Sequence, residues 1–181
     1  MKKTLLFAFL LLLCSRAVHA QTIEFSDDFE SGTGNWVLQG AWGTTTSQAN
    51  SGTTSLTDSP AGNYAANQNI SATLANGIDL SAAIDATLSF WAIYDIEGGN
   101  FDYCYVEASG NGGSTWVNVA TFLGEGQLSP WTQYSYSLGG FVGNSDVKIR
   151  FRFSLTVASR WMAFTLMMWK LPVPIRTIPL P

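Results

Sequence analysis

The sequence predicts an all-β domain whose antiparallel strands form a sandwich or a barrel. Between residues 21 and 153 no segment keeps a helical period, several segments alternate with period two, and Gly, Asn, Ser and Thr separate them. Many strands joined by short turns favour antiparallel pairing. The candidate strands cover residues 23–30, 36–38, 41–46, 53–57, 69–74, 86–96, 101–109, 116–122, 131–138 and 147–153.

Two connections have the composition of tight hairpin turns. Residues 97–100 (Glu-Gly-Gly-Asn) separate the apolar segments 88–94 and 101–107, and residues 110–113 (Gly-Asn-Gly-Gly) lead into residues 114–117. Glycine and asparagine supply the positive φ angles that such turns require. We therefore expect a hairpin at each of the two connections.

The segment 147–153 alternates strictly between apolar and cationic residues. Its odd positions are Val, Ile and Phe, and its even positions are Lys148, Arg150 and Arg152. A strand of this kind buries one face and exposes the other. We expect the three cations to face carboxylates on neighbouring strands.

The N-terminus has the features of a secretory signal. Lys2 and Lys3 precede an apolar run at residues 5–13, and Val-His-Ala at residues 18–20 forms a cleavage site before Gln21. The run is shorter than the roughly 20 residues that span a bilayer. We expect residues 1–20 to be removed and the protein to be secreted, with no membrane insertion.

The cysteine and histidine content limits the chemistry. His19 is the only histidine, and it leaves with Cys14 in the signal, so Cys104 alone remains. Cys104 lies in an alternating apolar run and is expected to be buried. A chain without histidine has no Ser-His-Asp or Cys-His pair and no His-containing zinc site. We therefore expect a non-catalytic protein.

Charge is unevenly distributed along the chain. Residues 21–147 contain thirteen Asp or Glu and no Lys or Arg, whereas residues 148–181 contain six Lys or Arg and no Asp or Glu. An acidic body repels phosphate, which argues against nucleic acid and anionic membranes. It favours cationic partners or divalent metal ions, or it serves solubility alone.

The last stretch does not match the body. Residues 161–169 are apolar on both faces, and prolines at 172, 174, 179 and 181 disfavour an interior strand. We therefore assign residues 21–153 to one β domain and predict an irregular, aberrant tail at residues 154–181.

The codons of this tail suggest a shifted reading frame. Met and Trp have single codons, so residues 161–171 (Trp-Met-Ala-Phe-Thr-Leu-Met-Met-Trp-Lys-Leu) nearly fix their own DNA. Read from the third base of each codon, that DNA encodes Asp, Gly, an apolar residue, Tyr or His, an open position, one of Asp/Asn/Tyr/His, then Asp, Val and Glu. Our hypothesis is a frameshift; the alternative is a genuine apolar strand or chance.

An ordered series of motifs carries a family resemblance. They are residues 27–32 (Asp-Asp-Phe-Glu-Ser-Gly), 35–36, 40–42, 51–56, 86–91, 102–107, 112–116 (Gly-Gly-Ser-Thr-Trp) and 149–153. In this order they resemble the MAM-like jelly-roll modules attached to immune inhibitor A-type secreted metallopeptidases. The resemblance implies a two-sheet jelly-roll β-sandwich for adhesion, substrate engagement or support of a catalytic domain.

Members of that family end on a strand of the form Asp-Gly-x-Tyr-x-Asp-Asp-Val. This chain has that string only in the shifted frame. It also contains no His-Glu-x-x-His motif of a peptidase. We expect a non-catalytic adhesion or accessory module that contacts proteins or cell surfaces and is a fragment of a larger multidomain protein.

The resemblance also implies a structural calcium ion. The positions that match are Asp28 or Glu30, with a backbone carbonyl near Ser51 or Gly52. Calcium takes six to eight oxygen ligands, and the aspartate of the last strand is missing in frame. The alternative is that these carboxylates are simply solvated.

Exposed aromatic residues give a second functional hypothesis, a carbohydrate-binding module of the jelly-roll type that binds polysaccharide. The tryptophans that could include a platform for sugar rings are Trp36, Trp42, Trp91, Trp116 and Trp131. We take Trp42 and Trp131 as the candidates, although aromatic residues at strand spacing usually pack between sheets. A glycosidase built on Asp95 with Glu97, or on Asp102 with Glu107, is a third and weaker hypothesis.

Overall fold

The computed structural model describes residues 21–62, 67–96, 101–123, 130–155 and 164–174, with residues 21, 22 and 164–174 described by their backbone. In these residues the chain forms eleven strands and one short 3-10 helix at Gly139–Phe141. The strands are β1 (Gln21–Asp27), β2 (Trp36–Leu38), β3 (Gly43–Thr45), β4 (Ser55–Thr57), β5 (Asn69–Leu74), β6 (Thr87–Tyr94), β7 (Tyr103–Ser109), β8 (Val117–Phe122), β9 (Thr132–Ser137), β10 (Lys148–Ser154) and β11 (Phe164–Pro174).

The strands form two antiparallel sheets. The five-stranded sheet has the order β2-β5-β10-β7-β8, and the six-stranded sheet has the order β3-β4-β11-β6-β9, with β1 also paired to β11. Neighbours in each sheet are mostly distant in sequence, because the chain passes repeatedly from one sheet to the other. The predicted all-β sandwich is confirmed.

Each of the ten predicted strands corresponds to one of β1 to β10. The turn at residues 110–113 joins the paired strands β7 and β8, as predicted, and Gly112 and Gly113 have φ angles of 68° and 96°. The other predicted hairpin is wrong. Strands β6 and β7 lie in different sheets, and the connection at residues 97–100 lies outside the described residues. Turn composition identifies a reversal of the chain but not whether the next strand stays in the same sheet.

The core lies between the sheets and is formed by alternate residues of their strands. On β10 the buried residues are Ile149, Phe151 and Phe153. The ring of Phe151 meets Phe90 of β6 edge to face, with centroids 5.3 Å apart, so the two sheets contact each other directly. Cys104 is fully buried in this core, as the sequence predicts, and burial raises the pKa of its thiol well above the usual value.

The C-terminal strand corrects the expectation of an irregular tail. Residues 164–174 form β11, which pairs with β6 on one side and with β1 and β4 on the other. Pro172 and Pro174 fall in the part of β11 that pairs with β1 alone, beyond Lys170, the last residue paired with β6. A proline lacks the N–H of an interior ladder but is tolerated where one edge is free.

Asp27 is the last residue of β1, and its side chain accepts hydrogen bonds from the turn that follows. Its carboxylate accepts hydrogen bonds from the Phe29 N–H (2.9 Å), the Asn35 Nδ2 (3.0 Å) and the Trp36 Nε1 (2.9 Å). Phe29 has a φ angle of 62° and is buried. Three donors therefore compensate the burial of Asp27.

Candidate functional site

The solvent side of the five-stranded sheet carries aromatic side chains next to the cationic side chains of β10. We call it the β7–β10 face. It consists of Tyr103, Tyr105 and Glu107 from β7, Trp116 just before β8, and Lys148, Arg150 and Arg152 from β10.

Strand register places these residues side by side. Arg150 lies opposite Glu107, and Arg152 lies opposite Tyr105, in the antiparallel pair of β10 and β7. Directly opposite residues of such a pair share one face of the sheet. The alternate positions of β7 and β10 point into the core. Because side chains of a strand alternate between its two faces, the β7 and β10 residues of this face lie on the solvent side of the sheet.

Glu107 is the centre of the face. Arg150 Nε donates to Glu107 Oε2 at 2.7 Å, and Arg152 Nη2 donates to Glu107 Oε1 at 2.8 Å. The Glu107 side chain is 9% exposed, and those of the two arginines are 22% and 25% exposed. Burial raises the pKa of the Glu107 carboxyl, but hydrogen bonds from Arg152 and Arg150 outweigh burial, so this pKa lies below its ordinary value of 4.5.

Both guanidinium groups also lie over aromatic rings. Arg150 Cζ is 4.1 Å from the centroid of Trp116, and Arg152 Cζ is 4.4 Å from the centroid of Tyr105. Tyr105 is stacked on Tyr103, with centroids 5.6 Å apart and an angle of 17° between the rings. Cation–π contacts of this kind contribute about 0.5–1 kcal/mol at exposed sites. The side chains are therefore held in place before any ligand arrives.

The turn between β7 and β8 positions Trp116. Ser109 Oγ accepts a hydrogen bond from the Gly113 N–H at 2.8 Å, and Asn111 Oδ1 accepts one from the Thr115 N–H at 2.9 Å. A Cβ atom on Gly113 would lie 3.3 Å from the Trp116 ring, so the absence of a side chain there makes room for the indole. The sequence motif Gly-Gly-Ser-Thr-Trp thus fixes where this aromatic residue lies.

The arrangement suits binding rather than bond cleavage. Aromatic rings offer apolar surface to the faces of sugar rings, and guanidinium and amide groups donate hydrogen bonds to their oxygens. The one carboxylate at its centre, Glu107, is already engaged with two arginines. Of the predicted glycosidase pair Asp102 and Glu107, Asp102 is fully buried, and Glu107 lies under the two arginines that bind it. Glu97, the proposed partner of Asp95, lies outside the described residues.

The predicted tryptophan platform is only partly available. Trp42 is 5% exposed and packs on Phe153, with ring centroids 6.4 Å apart, so it cannot stack on a ligand. That assignment is corrected: the indole fills the gap between sheets, as aromatic residues at strand spacing usually do. Trp131 is partly exposed just before β9, away from the β7–β10 face.

The residues implied for calcium lie where two loops meet. Glu30 accepts hydrogen bonds from the Thr53 N–H (2.8 Å), the Thr53 hydroxyl (2.8 Å) and the Thr54 N–H (2.7 Å). The Thr53 N–H contributes most to holding the pKa of Glu30 below its ordinary value. Glu30 is thereby close to the segment that contains Ser51.

The donor set of this region does not by itself form a metal site. Asp28 accepts a hydrogen bond from the Glu30 N–H at 3.1 Å and thus closes its own local turn. Within the described residues there is no group of three or more His, Cys, Asp or Glu that could hold a metal ion. Calcium binding through Asp28, Glu30 and Ser51 stays a prediction.

Several solved structures share this fold. The CBM22-1 xylan-binding domain from Paenibacillus barcinonensis Xyn10C is 16% identical, with a TM-score of 0.57 over 89% of this chain and 100% of that chain. TmCBM61, solved with β-1,4-galactotriose, is 16% identical, with a TM-score of 0.53 over 80% of this chain and 92% of that chain. The K3 cleaved adhesin domain of Lys-gingipain from Porphyromonas gingivalis is 13% identical, with a TM-score of 0.58 over 83% and 99%.

This likeness identifies the chain as a jelly-roll β-sandwich. At these identities it concerns the fold alone. The similar structures themselves are described as xylan-binding, galactotriose-binding and adhesin domains. No family model and no curated protein sequence matched the chain. In the described residues, no helix is long and apolar enough to cross a membrane.

The sequence contained part of the signal for the β7–β10 face. It showed the cationic positions of β10 and predicted carboxylates on the neighbouring strands. The structure has one such carboxylate, Glu107, and it binds both arginines. Tyr103 and Tyr105 alternate with buried Cys104 and Val106 and could have been assigned to the solvent side. The two tyrosines lie next to β10 because β7 pairs with β10, and no local sequence pattern predicts this order of strands in the sheet.

Proposed function

We propose that this protein is a non-catalytic module that binds polysaccharide on the β7–β10 face. One observation carries the proposal: Tyr103, Tyr105 and Trp116 lie with two arginines on a single solvent-facing sheet surface. Binding sites for small polar ligands combine aromatic area with a few fixed polar groups. Two of the similar structures are a xylan-binding domain and a module solved with β-1,4-galactotriose, which supports the choice of ligand class.

A glycan array probed with the purified full chain tests this proposal. We expect reproducible binding to at least one polysaccharide, weakened roughly tenfold by Trp116→Ala, because an aromatic contact contributes about 0.5–1.5 kcal/mol beyond its buried area. Trp131→Ala is the matched control, since it removes a partly exposed tryptophan elsewhere. If Trp131→Ala abolishes binding and Trp116→Ala does not, the β7–β10 face is the wrong surface.

The second candidate is the adhesion or accessory module implied by the MAM-like resemblance. The jelly-roll likeness to an adhesin domain favours it, together with the motif series at residues 27–32 and 112–116. Such a module would bind a protein or cell-surface ligand and would ignore free sugars. Two results together would favour this candidate over the first. No glycan of the array would bind, and the protein would bind saturably to cells in a way that is lost after protease treatment of the cell surface.

Three finer features belong to the same proposal. The signal at residues 1–20 supports secretion, and the shifted codons of residues 161–171 support a frameshift within a longer multidomain protein. A structural calcium ion at Asp28, Glu30 and Ser51 is supported by the closeness of Glu30 to the loop at residues 51–54. Equilibrium dialysis with calcium, compared between this chain and a version with the restored frame, tests the last of these.

A further inference from the structure

The cations of the domain are concentrated on one surface. Among the side chains that the structure describes, Lys148, Arg150 and Arg152 are the cationic residues, and all three lie on the β7–β10 face. The Asp and Glu residues are distributed over the rest of the described chain. Within the side chains that the structure describes, this row is the surface suited to a negatively charged ligand.

The row carries excess positive charge. Glu107 is a single carboxylate, yet it pairs with both Arg150 and Arg152. Lys148 Nζ donates to the carbonyl oxygen of Ala75 at 2.9 Å, which is a neutral partner. Asp146 lies at the end of the face beside Gly112. Three cations are thus set against two carboxylates even when Asp146 is included.

Cross-strand charge pairing within the sheet does not account for this excess. On the β5 side, Arg150 lies opposite Thr73 and Arg152 lies opposite Ser71, and both partners are neutral. If the row served only to stabilise the sheet, acidic residues would be expected at these positions. The uncompensated charge therefore points to a partner outside the chain.

The guanidinium groups keep donors for such a partner. A guanidinium has five N–H donors. Arg150 uses its Nε and Nη2 atoms on Glu107. Arg152 uses the same two atoms on Glu107 and its Nη1 on Asn69, at 3.5 Å, so each group keeps N–H donors beyond those bonds. Ion pairing and ring stacking fix both arginines in advance, so little side-chain entropy is lost on binding. Planar guanidinium groups match carboxylate and sulfate oxygens in geometry as well as in charge.

We propose that the ligand of the β7–β10 face is an acidic polysaccharide, a sugar chain bearing carboxylate or sulfate groups. Its anionic groups lie along β10 at Lys148 and the two arginines, and its sugar rings contact Trp116 and the two tyrosines. This inference rests on the proposed function and adds the chemical class of the ligand. The acidic remainder of the surface repels the same ligand and confines it to this face.

Titration calorimetry of the full chain with two matched pairs of polymers tests the ligand class. The pairs are polygalacturonate with its methyl ester, and dextran sulfate with dextran. We expect the charged member of at least one pair to bind tenfold or more tightly than its neutral match. Raising the salt from about 0.02 M to about 0.5 M should weaken binding, because screening shortens the range of the charges. The preferred pair distinguishes carboxylate from sulfate.

Charge variants of opposite sign provide the second test. Lys148→Gln should weaken binding of the charged polymer roughly fivefold, the upper range for one exposed ion pair, whereas Lys148→Arg should retain it. Glu107→Gln removes the negative charge from the centre of the face and should tighten binding. Titrations are run below the melting temperature of every variant. Weaker binding by Glu107→Gln at unchanged melting temperature would contradict the proposal.

The outcomes separate this inference from the proposed function. Equal affinity for the charged and the neutral member in both pairs, without dependence on salt, overturns the acidic ligand and leaves polysaccharide binding intact. Binding to neutral glycans alone has the same consequence. Failure to bind any polymer of the two pairs or any glycan of the array overturns both.

Discussion

The loop that contacts Glu30 contains Gly52, and this position requires the absence of a side chain. Its φ angle is 64°, and a Cβ atom there would lie 2.6 Å from Glu30 Oε1. We expect Gly52→Ala to lower the free energy of unfolding by about 1–3 kcal/mol, since the backbone would be strained and Glu30 would lose its hydrogen bonds to Thr53 and Thr54. Urea denaturation measures this difference.

Gly34→Ala is the matched control for this prediction. Nothing lies within 4 Å of a Cβ atom added to Gly34, and its φ angle is not in the positive region. A surface change of this kind usually alters stability by about 0.5 kcal/mol or less. Equal effects of the two substitutions would show that the contact between Glu30 and Gly52 has no influence on stability.

At the scale of elements, β11 is the strand whose sequence agrees least with its position. It pairs with β1, β4 and β6 near the middle of the six-stranded sheet, yet its segment is apolar without alternation and contains prolines. The shifted codons of residues 161–170 encode Asp-Gly-x-Tyr-x-Asp-Asp-Val-like residues at the same place. The hypothesised reading-frame change would fall on the strand that completes the sheet.

Restoring the shifted frame over residues 161–170 should raise the melting temperature. A strand whose residues match the sheet covers more apolar surface, worth about 25 cal/mol per Å². Removing the strand would leave an unpaired edge on β6. Differential scanning fluorimetry should rank the restored chain above the present one, and the present one above a chain ending at residue 163. A restored chain that melts at the same or a lower temperature would contradict the frameshift hypothesis.

At the scale of the whole molecule, acid should destabilise the protein. Glu30, Asp79 and Glu107 have pKa values below their ordinary ones, chiefly because Thr53, Ser81 and the two arginines donate hydrogen bonds to them. A carboxyl with a lowered pKa in the folded state binds fewer protons there than when unfolded. Its contribution is therefore present above the unfolded pKa and is lost as the pH falls through the folded pKa.

Urea midpoints between about pH 6 and pH 3, in about 0.15 M salt to screen general repulsion, measure this dependence. We expect the midpoint to fall steadily below the ordinary glutamate pKa of 4.5. Glu107→Gln should show a shallower dependence, because the titrating group of the ion pair is gone. A midpoint that rises on acidification would mean that relief of net negative charge outweighs these three groups.

The local pattern of the sequence was sufficient to predict the positions of ten of the strands. Alternation of apolar and polar residues predicted β1 to β10, because burial of one sheet face imposes period two on any strand at the surface of a core. The same reasoning predicted buried Cys104 and the exposed cations of β10. It failed at β11, where the apolar residues do not alternate and the partner strands decide the conformation.

The tertiary structure decided which strands and which side chains are neighbours. Sheet order brought β7 next to β10 and separated β6 from β7, and pairing across such distances in sequence depends on packing rather than on turn composition. The same order made Trp42 a core residue and gathered Tyr105, Trp116 and the two arginines around Glu107. The sequence by itself determined an all-β, acidic body with no histidine in residues 21–181. Only the fold determined where the proposed binding surface lies, because a surface is made by neighbours in space.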